Sequence, residues 1–479
     1  MPEKPAIVWF RADLRLGDNP ALDAAARSDS PVIPVFVLPC DGLLAPGGAQ
    51  RWWLHHSLLA LKSHLEKAGS SLVLLKGDER AVIADLVERT GAGAVYWNRR
   101  YAPQHIETDR ALKQMLTASA VSVETFNGSL WRDPWEVKTK SGGDYRVFKP
   151  FWKSLRAKGP ARARLFSAPS KMRPPSQWPK SDDLSSWRLT PESPDWAHEF
   201  ADHWAPGEEG AAKRLETFLD DANCYANERD MPAMDATSRL SPHLAHGEIS
   251  VTEIWCRVRA RVDLGELSSA NAEKFLSELA WREFSYNLLF HNSEIARAPL
   301  RKEFERFDWR EDDKSFNAWA RGMTGVPIVD AGLRQLWRTG WMHNRVRMIV
   351  ASFLVKNLLI HWTKGERWFW DSLVDADAAN NPASWQWVAG SGADAAPYFR
   401  IFNPVSQGEK HDPEADYVRE FVPEIAALPN KWIHKPWSAP DEILSNSHIV
   451  LGKTYPFPIV DLHGSRQRAL DAYQKLKQS

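Results

Sequence analysis

From residue 6 the chain alternates short apolar runs, AIVWF, VIPVFVL, SLVLL, AVYW and VSVETF, with amphipathic stretches such as QRWWLHHSLLALKSHLEKAG and PQHIETDRALKQMLTAS. Few folds accommodate that rhythm. β-rich runs separated by helices predict a parallel sheet covered on both faces, because parallel neighbours need a crossover long enough to hold a helix. Asn19 before Pro20 reads as a helix start, a cap followed by a first-turn proline. Open sheets of this kind bind ligands at the carboxyl ends of their strands. Arg11, Phe36 and Arg51 fall at or near such ends, either lining a pocket or serving as packing and surface residues. The absence of G-x-G-x-x-G and G-K-[ST] argues against an ordinary dinucleotide or nucleoside triphosphate site.

Residues 159 to 207 carry eight prolines among Ser, Lys and Trp, with weak periodicity, and read as a connection draped over the surface. Beyond Glu208 the pattern turns helical. The expected division is therefore an α/β domain over 1–135, a linker over 136–207 and an all-α domain over 208–479. A length of 479 residues suits two or three domains. Three scattered cysteines lack metal-ligand spacing and predict neither a disulfide framework nor a metal site. With no signal-peptide pattern at residue 1 and no apolar run of membrane-spanning length, the expectation is a cytoplasmic protein without a membrane partner. Lys plus Arg equals Asp plus Glu, 61 each, so an anionic partner must meet a local patch. Residues 145 to 180 hold ten Lys/Arg and no acid, and residues 331 to 365 hold six and none; each reads first as a solvated face. The 24 tryptophans exceed what core filling requires and suggest stacking surfaces or electron-transfer stations.

The unusual residues concentrate between Trp337 and Trp387. Apolar spacing from Met348 through Leu359 predicts a buried helix, on which each polar group needs a partner. Asn344, Arg347, Met348 and Ala351 fall on one stripe, aimed at one cavity. Asp375, Asp377, Asn380, Asn381 and a Trp-Gln-Trp follow; Arg347 with Asp375 reads equally as a structural ion pair and as a pair that touches a flat polar ligand. Upstream, Thr237, Ser238, Arg239 and Ser241 gather hydroxyls, amides and a cation ahead of a helix, which suits a phosphate or a capped turn. In NAEKFLSELAWREFSYNLLF, Glu278, Trp281 and Arg282 share a face, either as an ion pair beside a packed indole or as a grip for a base.

Taken together, WFRADLRLGDNPAL, TSRLSPHLAHGEIS, ELAWREF, GWMHNRVRM, DADAANNPASWQW and DAAPYFRIFNPVSQGEK resemble the photolyase/cryptochrome family over nearly the whole chain. The resemblance implies FAD, its pyrophosphate held by Tyr225 and by Thr237, Ser238, Arg239, Leu240 and Ser241. It places Arg282, Asn344, Arg347, Asp375 and Asp377 among the cofactor-binding residues and sets Asn381 at the flavin N5 atom. Trp385, Trp362 and Trp309 would carry electrons from the surface to the flavin. Within the family the residue choices resemble repair enzymes for cyclobutane pyrimidine dimers, which act on ultraviolet-damaged DNA. Trp281 and Trp387 would stack a flipped-out lesion, Glu278, kept protonated by burial, would donate a hydrogen bond to it, and Met348 with Asn344 stands where (6–4) repair enzymes place two histidines. Arg229, Asn344, Arg345, Arg400, Gln407 and Lys410 would meet the DNA. Ser285 resembles the plant cryptochromes, which points to the class III photolyases nearest to them and keeps a blue-light receptor as the alternative. A second, antenna chromophore is expected as methenyltetrahydrofolate near Arg11, Phe36, Cys40 and Arg51, with a deazaflavin as alternative, since Gln104-His105 departs from the usual folate pattern. The expected state is a monomer.

Overall fold

The computed structural model describes residues 4–39, 42, 44–162, 164–395 and 399–478. Cys40, one of the residues expected at an antenna, lies outside the described residues. The apolar runs form five strands, β1 (Ala6–Phe10), β2 (Val32–Leu38), β3 (Val73–Lys76), β4 (Ala94–Asn98) and β5 (Ser122–Phe126). They pair in parallel in the order β3-β2-β1-β4-β5. Helices α1 (Pro20–Ala26), α2 (Gly48–Lys67), α3 (Glu79–Thr90) and α4 (Pro103–Ala118) form the crossovers. β1 and β2 are buried along their whole length, and side chains of opposite parity enter two separate apolar clusters, as a sheet covered on both faces requires. Asn19 caps α1, its side chain accepting from the Leu22 amide at 3.1 Å, with Pro20 in the first turn.

Two compact units emerge, and their borders differ from the sequence expectation. The first comprises residues 1–223, 238–293 and 374–379; the second comprises 224–237, 294–373 and 380–479. The stretch expected to be a bare linker lies wholly in the first unit and contains helix α5 (Phe148–Lys158). Its apolar face, Phe148, Phe151 and Leu155, is buried, with Phe151 against Phe284 of helix Ser269–His291. Helices Val251–Asp263 and Ser269–His291, expected with the all-α domain, also belong to the first unit. So does the short segment 374–379: Gln50 donates to the Ala376 carbonyl at 2.6 Å, and His246 meets the Val374 carbonyl at 3.2 Å.

The second unit is helical. Its interior is built from helices Pro327–Thr339, Asn344–Ser352, Trp362–Ser372 and Asn380–Ala389. The predicted helix through Leu359 is shorter and less regular: α-helix ends at Ser352, a π-helical turn spans Phe353–Asn357, and Leu359 takes φ +56°. Such turns accompany functional sites more often than chance. This one buries Lys356, whose ammonium donates to the Ala389 carbonyl at 2.7 Å and sits 3.0 Å from the Phe399 ring centroid. Burial pushes that ammonium well below the usual lysine range. No helix among the described residues is long and apolar enough to cross a membrane.

Candidate functional site

In the first unit the candidate residues hang on helix Ser269–His291. Ser268 caps it by accepting from the Asn271 amide. Trp281 lies flat against Phe148 of α5, ring centroids 3.8 Å apart and planes 8° from parallel, a close stack that braces the indole. Sequence reasoning missed Phe148, because 133 residues separate the two rings and only the fold unites them. Glu278 is not buried as expected. Its side chain is 26% exposed and accepts from the Lys274 ammonium at 2.9 Å, an i,i+4 pair on the same helix face. The deeply buried acid here is Glu283, which accepts from the Trp131 amide at 3.0 Å; burial pushes it up to about 8 against the pull of Arg282 and the Trp131 and Arg132 amides.

Arg282 donates to the Ser129 carbonyl at 2.9 Å and stacks 4.9 Å over Tyr286. The Tyr286 hydroxyl in turn donates to Asp377 Oδ2 at 2.6 Å, and Asp377 Oδ1 accepts from the Ala379 amide at 2.9 Å. Asp375 and Asp377 are both buried, 7% and 9% exposed. Arg239, in the expected phosphate turn, takes φ +48°, and the Ser238 carbonyl accepts from Arg214 Nε at 2.9 Å. A left-handed arginine is costly outside a held turn, and this one immediately precedes Leu240 and the short helix Ser241–His246.

The residues expected at the antenna are placed differently. Arg11 is buried: it pairs with Asp109 at 2.6 Å, donates to the Asn98 carbonyl and stacks 4.4 Å over Trp9. Phe36 is 6% exposed inside the sheet's core and faces Trp187. Arg51 is exposed. The first two are thus buried.

In the second unit Tyr225 and Arg229 stand one helical turn apart, Arg229 Nη1 donating to the tyrosine oxygen at 3.1 Å. Arg229 and Arg345 share Asp230, at 3.8 and 2.7 Å. Burial acts to raise the Asp230 carboxyl, but the Arg345 hydrogen bond and the two positive charges outweigh it and hold the acid below the usual range. Asn344 is exposed at the first position of its helix, while Arg347 and Met348 are half-buried and Ala351 is buried. The expected stripe therefore grades from solvent to core instead of converging on one closed cavity. Arg347 donates from Nε to the Met342 carbonyl at 2.7 Å and stacks over Trp341. Arg400 is exposed above the Phe402 ring, and Lys410 and Gln407 stand on helix Pro404–His411, the lysine exposed.

Asn381 is 8% exposed, and its amide nitrogen donates to both the Glu366 backbone carbonyl at 3.1 Å and the Glu366 side chain at 2.9 Å. Both N–H groups are thereby used. The side-chain oxygen accepts nothing among the described residues, which suits a ligand that presents an N–H. Glu366, unmarked by sequence reasoning, fixes which way the amide faces.

The tryptophans at 385, 362 and 309 fall within this one unit. Trp385 is 2% exposed, lies 5.0 Å edge-on to Phe369 and 6.2 Å from Trp319, and keeps a buried indole N–H without a partner. It fits because residue 365 is glycine: a Cβ there would sit 2.2 Å from the indole. Trp362 begins that same helix, and His361 bridges it to Trp309, with ring centroids 5.8 and 5.0 Å away. Trp309 is partly exposed. Trp387 donates to the Asp394 carbonyl at 3.0 Å.

In kind, the first unit offers a held turn of hydroxyls and cation and two buried carboxylates, and the second offers a buried amide held by Glu366 and a buried indole, Trp385, set edge-on to Trp319. Residues 275–475 match the model of the FAD binding domain of DNA photolyase, and residues 6–172 match that of DNA photolyase. A deoxyribodipyrimidine photo-lyase of Agrobacterium fabrum is 54% identical over 477 residues, covering 99% of this chain and 98% of that one. Cryptochrome-1 of Arabidopsis thaliana is 37% identical over 99% of this chain and 70% of its own length. Among solved structures, a bacterial class III photolyase from Agrobacterium tumefaciens superposes with a TM-score of 0.96 at 53% identity, over 100% of this chain and 99% of that one. With both halves matched by family models and full-length relatives well above the identity at which family membership holds, the chain belongs to the DNA photolyase/cryptochrome family.

Proposed function

We propose that this chain is a light-driven lyase that splits cyclobutane pyrimidine dimers in DNA. The observation that carries the reading is the full-length likeness to a relative named deoxyribodipyrimidine photo-lyase, at 54% identity. When bound and fully reduced, FAD supplies one electron on excitation by near-ultraviolet or blue light. The chain's own residues do the rest. Trp281, braced from behind by Phe148, offers a rigid indole face on which an extruded base stacks without further loss of side-chain freedom. Asn381, locked by Glu366, presents a carbonyl oxygen to the N–H of a reduced flavin. Glu278 accepts from Lys274, so a hydrogen bond donated by it to the lesion requires both that this pair opens and that the carboxylate gains a proton. The cations Arg229, Arg345, Arg400 and Lys410 make the DNA affinity fall with salt.

The second chromophore is proposed as methenyltetrahydrofolate, with a deazaflavin as the alternative. A monomer is the proposed working state. The test is illumination of the purified, fully reduced protein with a duplex oligonucleotide carrying one thymine dimer. Light-dependent return of thymine absorbance is expected, and its action spectrum reports the antenna. Binding of the lesion without any recovery would overturn the reading in favour of a cryptochrome-type photoreceptor; cryptochrome is the name the Arabidopsis relative carries.

A further inference from the structure

One carboxylate stands between two of the cations expected to meet DNA. Asp230 Oδ2 accepts from Arg345 Nη2 at 2.7 Å, and Asp230 Oδ1 lies 3.8 Å from Arg229 Nε, so each carboxylate oxygen faces one arginine. All three residues belong to the second unit, although 115 positions separate Asp230 from Arg345. The acid is also the least covered of the three: its side chain is 36% exposed, against 11% for Arg229 and 18% for Arg345. A phosphate that comes to either guanidinium from solvent therefore meets a negative charge beside it.

The surroundings keep that charge whole and the arginines in place. Burial pushes the His343 imidazole down to about 3, and burial with the charge of Arg345 lowers His411, so near neutral pH neither ring shares the Asp230 charge. Arg229 is tied to Tyr225 as well, donating to its oxygen at 3.1 Å and lying 5.3 Å over its ring. The Arg345 amide donates to His343 Nδ1 at 3.2 Å at the start of helix Asn344–Ser352. Its side-chain Nε is buried with no acceptor among the described residues. The pair with Asp230 thus fixes Arg345 without using all of its donors, and leaves it able to take a phosphate oxygen as well.

We propose that Asp230 is a specificity-determining residue: it fixes Arg229 and Arg345 in the one register that a lesion-bearing strand uses, and its charge weakens every other register that an intact duplex can adopt. The proposal rests on the reading of this chain as a DNA-repair lyase with the two arginines as backbone contacts. Binding of intact duplex samples many registers and follows net charge, so an acid among the cations counts against it in full. A complex built around one extruded lesion uses a single register. There the ordering of two flexible side chains in advance recovers what the acid costs as charge. Asp230 touches no reacting atom; it acts through the arginines, on the ratio of two affinities.

The experiment is a titration of the FAD-loaded protein in the dark, by fluorescence anisotropy, with one duplex carrying or lacking a thymine dimer, over a range of salt. Asp230→Asn is expected to bind the undamaged duplex about threefold tighter, with a slope of log affinity against log salt steeper by about 0.9. The lesion-bearing duplex should bind no tighter, so the preference for it falls by about the same factor. Asp230→Glu, which keeps the charge, should hold the undamaged duplex at the wild-type affinity, and Asp230→Ser repeats the neutral test should the amide not fold. If the neutral variant tightens both duplexes equally, the acid is only a charge; if it weakens both, the acid only supports the fold, and either result overturns the proposal. Unchanged lesion affinity in Arg345→Ala, with wild type still preferring the dimer, overturns the role of the arginine while leaving the repair reading intact. A wild-type protein with no preference for the dimer removes that reading and this proposal with it.

Discussion

Several of the properties expected of this chain turn on single side chains. Glu366 is pushed up to about 7, burial outweighing the charge of Arg367 and the Asn381 hydrogen bond. Between about 4.5, the ordinary glutamate value, and about 7 the folded chain keeps a proton here that the unfolded chain has released. Stability from this group is thus whole at low pH and is lost as pH rises through that window. Glu366→Gln should flatten that part of the stability curve, measured by thermal unfolding between about pH 4.5 and 7.5; parallel curves for the two proteins would contradict it. Truncation of Phe148 to Ala removes a stacked pair worth about 1 kcal/mol beyond its buried area. Lesion affinity should fall several-fold in a fluorescence titration with dimer-bearing duplex, while undamaged duplex binds as before. Glu278→Ala should lower the repair yield per photon more than the lesion affinity; an unchanged yield would argue that the acid serves only Lys274. Sequence reasoning grouped Glu278 with Arg282 and passed over Lys274, although Lys and Glu stand four apart in NAEKFLSELAWREF. The stack of Trp281 on Phe148 was not legible, because nothing in a linear pattern brings residue 148 to residue 281.

At the scale of elements, helix Trp362–Ser372 meets helix Asn380–Ala389 through a missing side chain. Gly365→Ala would place a methyl group 2.2 Å from the Trp385 ring, which must then shift. Photoreduction of oxidised FAD should slow at least tenfold while repair by chemically reduced protein continues; Trp385→Phe should abolish photoreduction outright. Normal photoreduction in either variant would remove Trp385 from the electron path. The C-terminal end of Asn380–Ala389 is tied by Lys356 from the π-helical turn. The helical period ran unbroken through Leu359, and the wider turn left no mark in it, because the extra residue is absorbed where every neighbour is apolar. Strand positions were far more legible. AIVWF and VIPVFVL coincide with β1 and β2, since runs buried on both faces carry few polar residues to blur their ends.

For the whole molecule, the alternating strands and helices announced the parallel sheet, whereas the borders of the units were hidden. Proline-rich composition marked 159–207 as a connection, yet composition cannot tell a draped segment that contributes buried aromatics from a free one. Met172, Leu184, Trp187 and Leu189 of that segment enter the same apolar cluster as Phe10 and Phe36. Trp187→Ala should therefore destabilise the first unit by about 3 kcal/mol or more, read as a lowered denaturant midpoint; the midpoint of a true linker would not move. The assignment of 374–379 to the first unit has a bearing on how the chain is made. On a ribosome, residues 1–293 emerge long before this hexapeptide, so Gln50 and His246 wait for the carbonyls of Ala376 and Val374 until some eighty further residues have been synthesised. A nascent chain stalled ahead of residue 374 should accordingly yield to protease at the Gln50 end of α2, and one stalled well past residue 379 should resist.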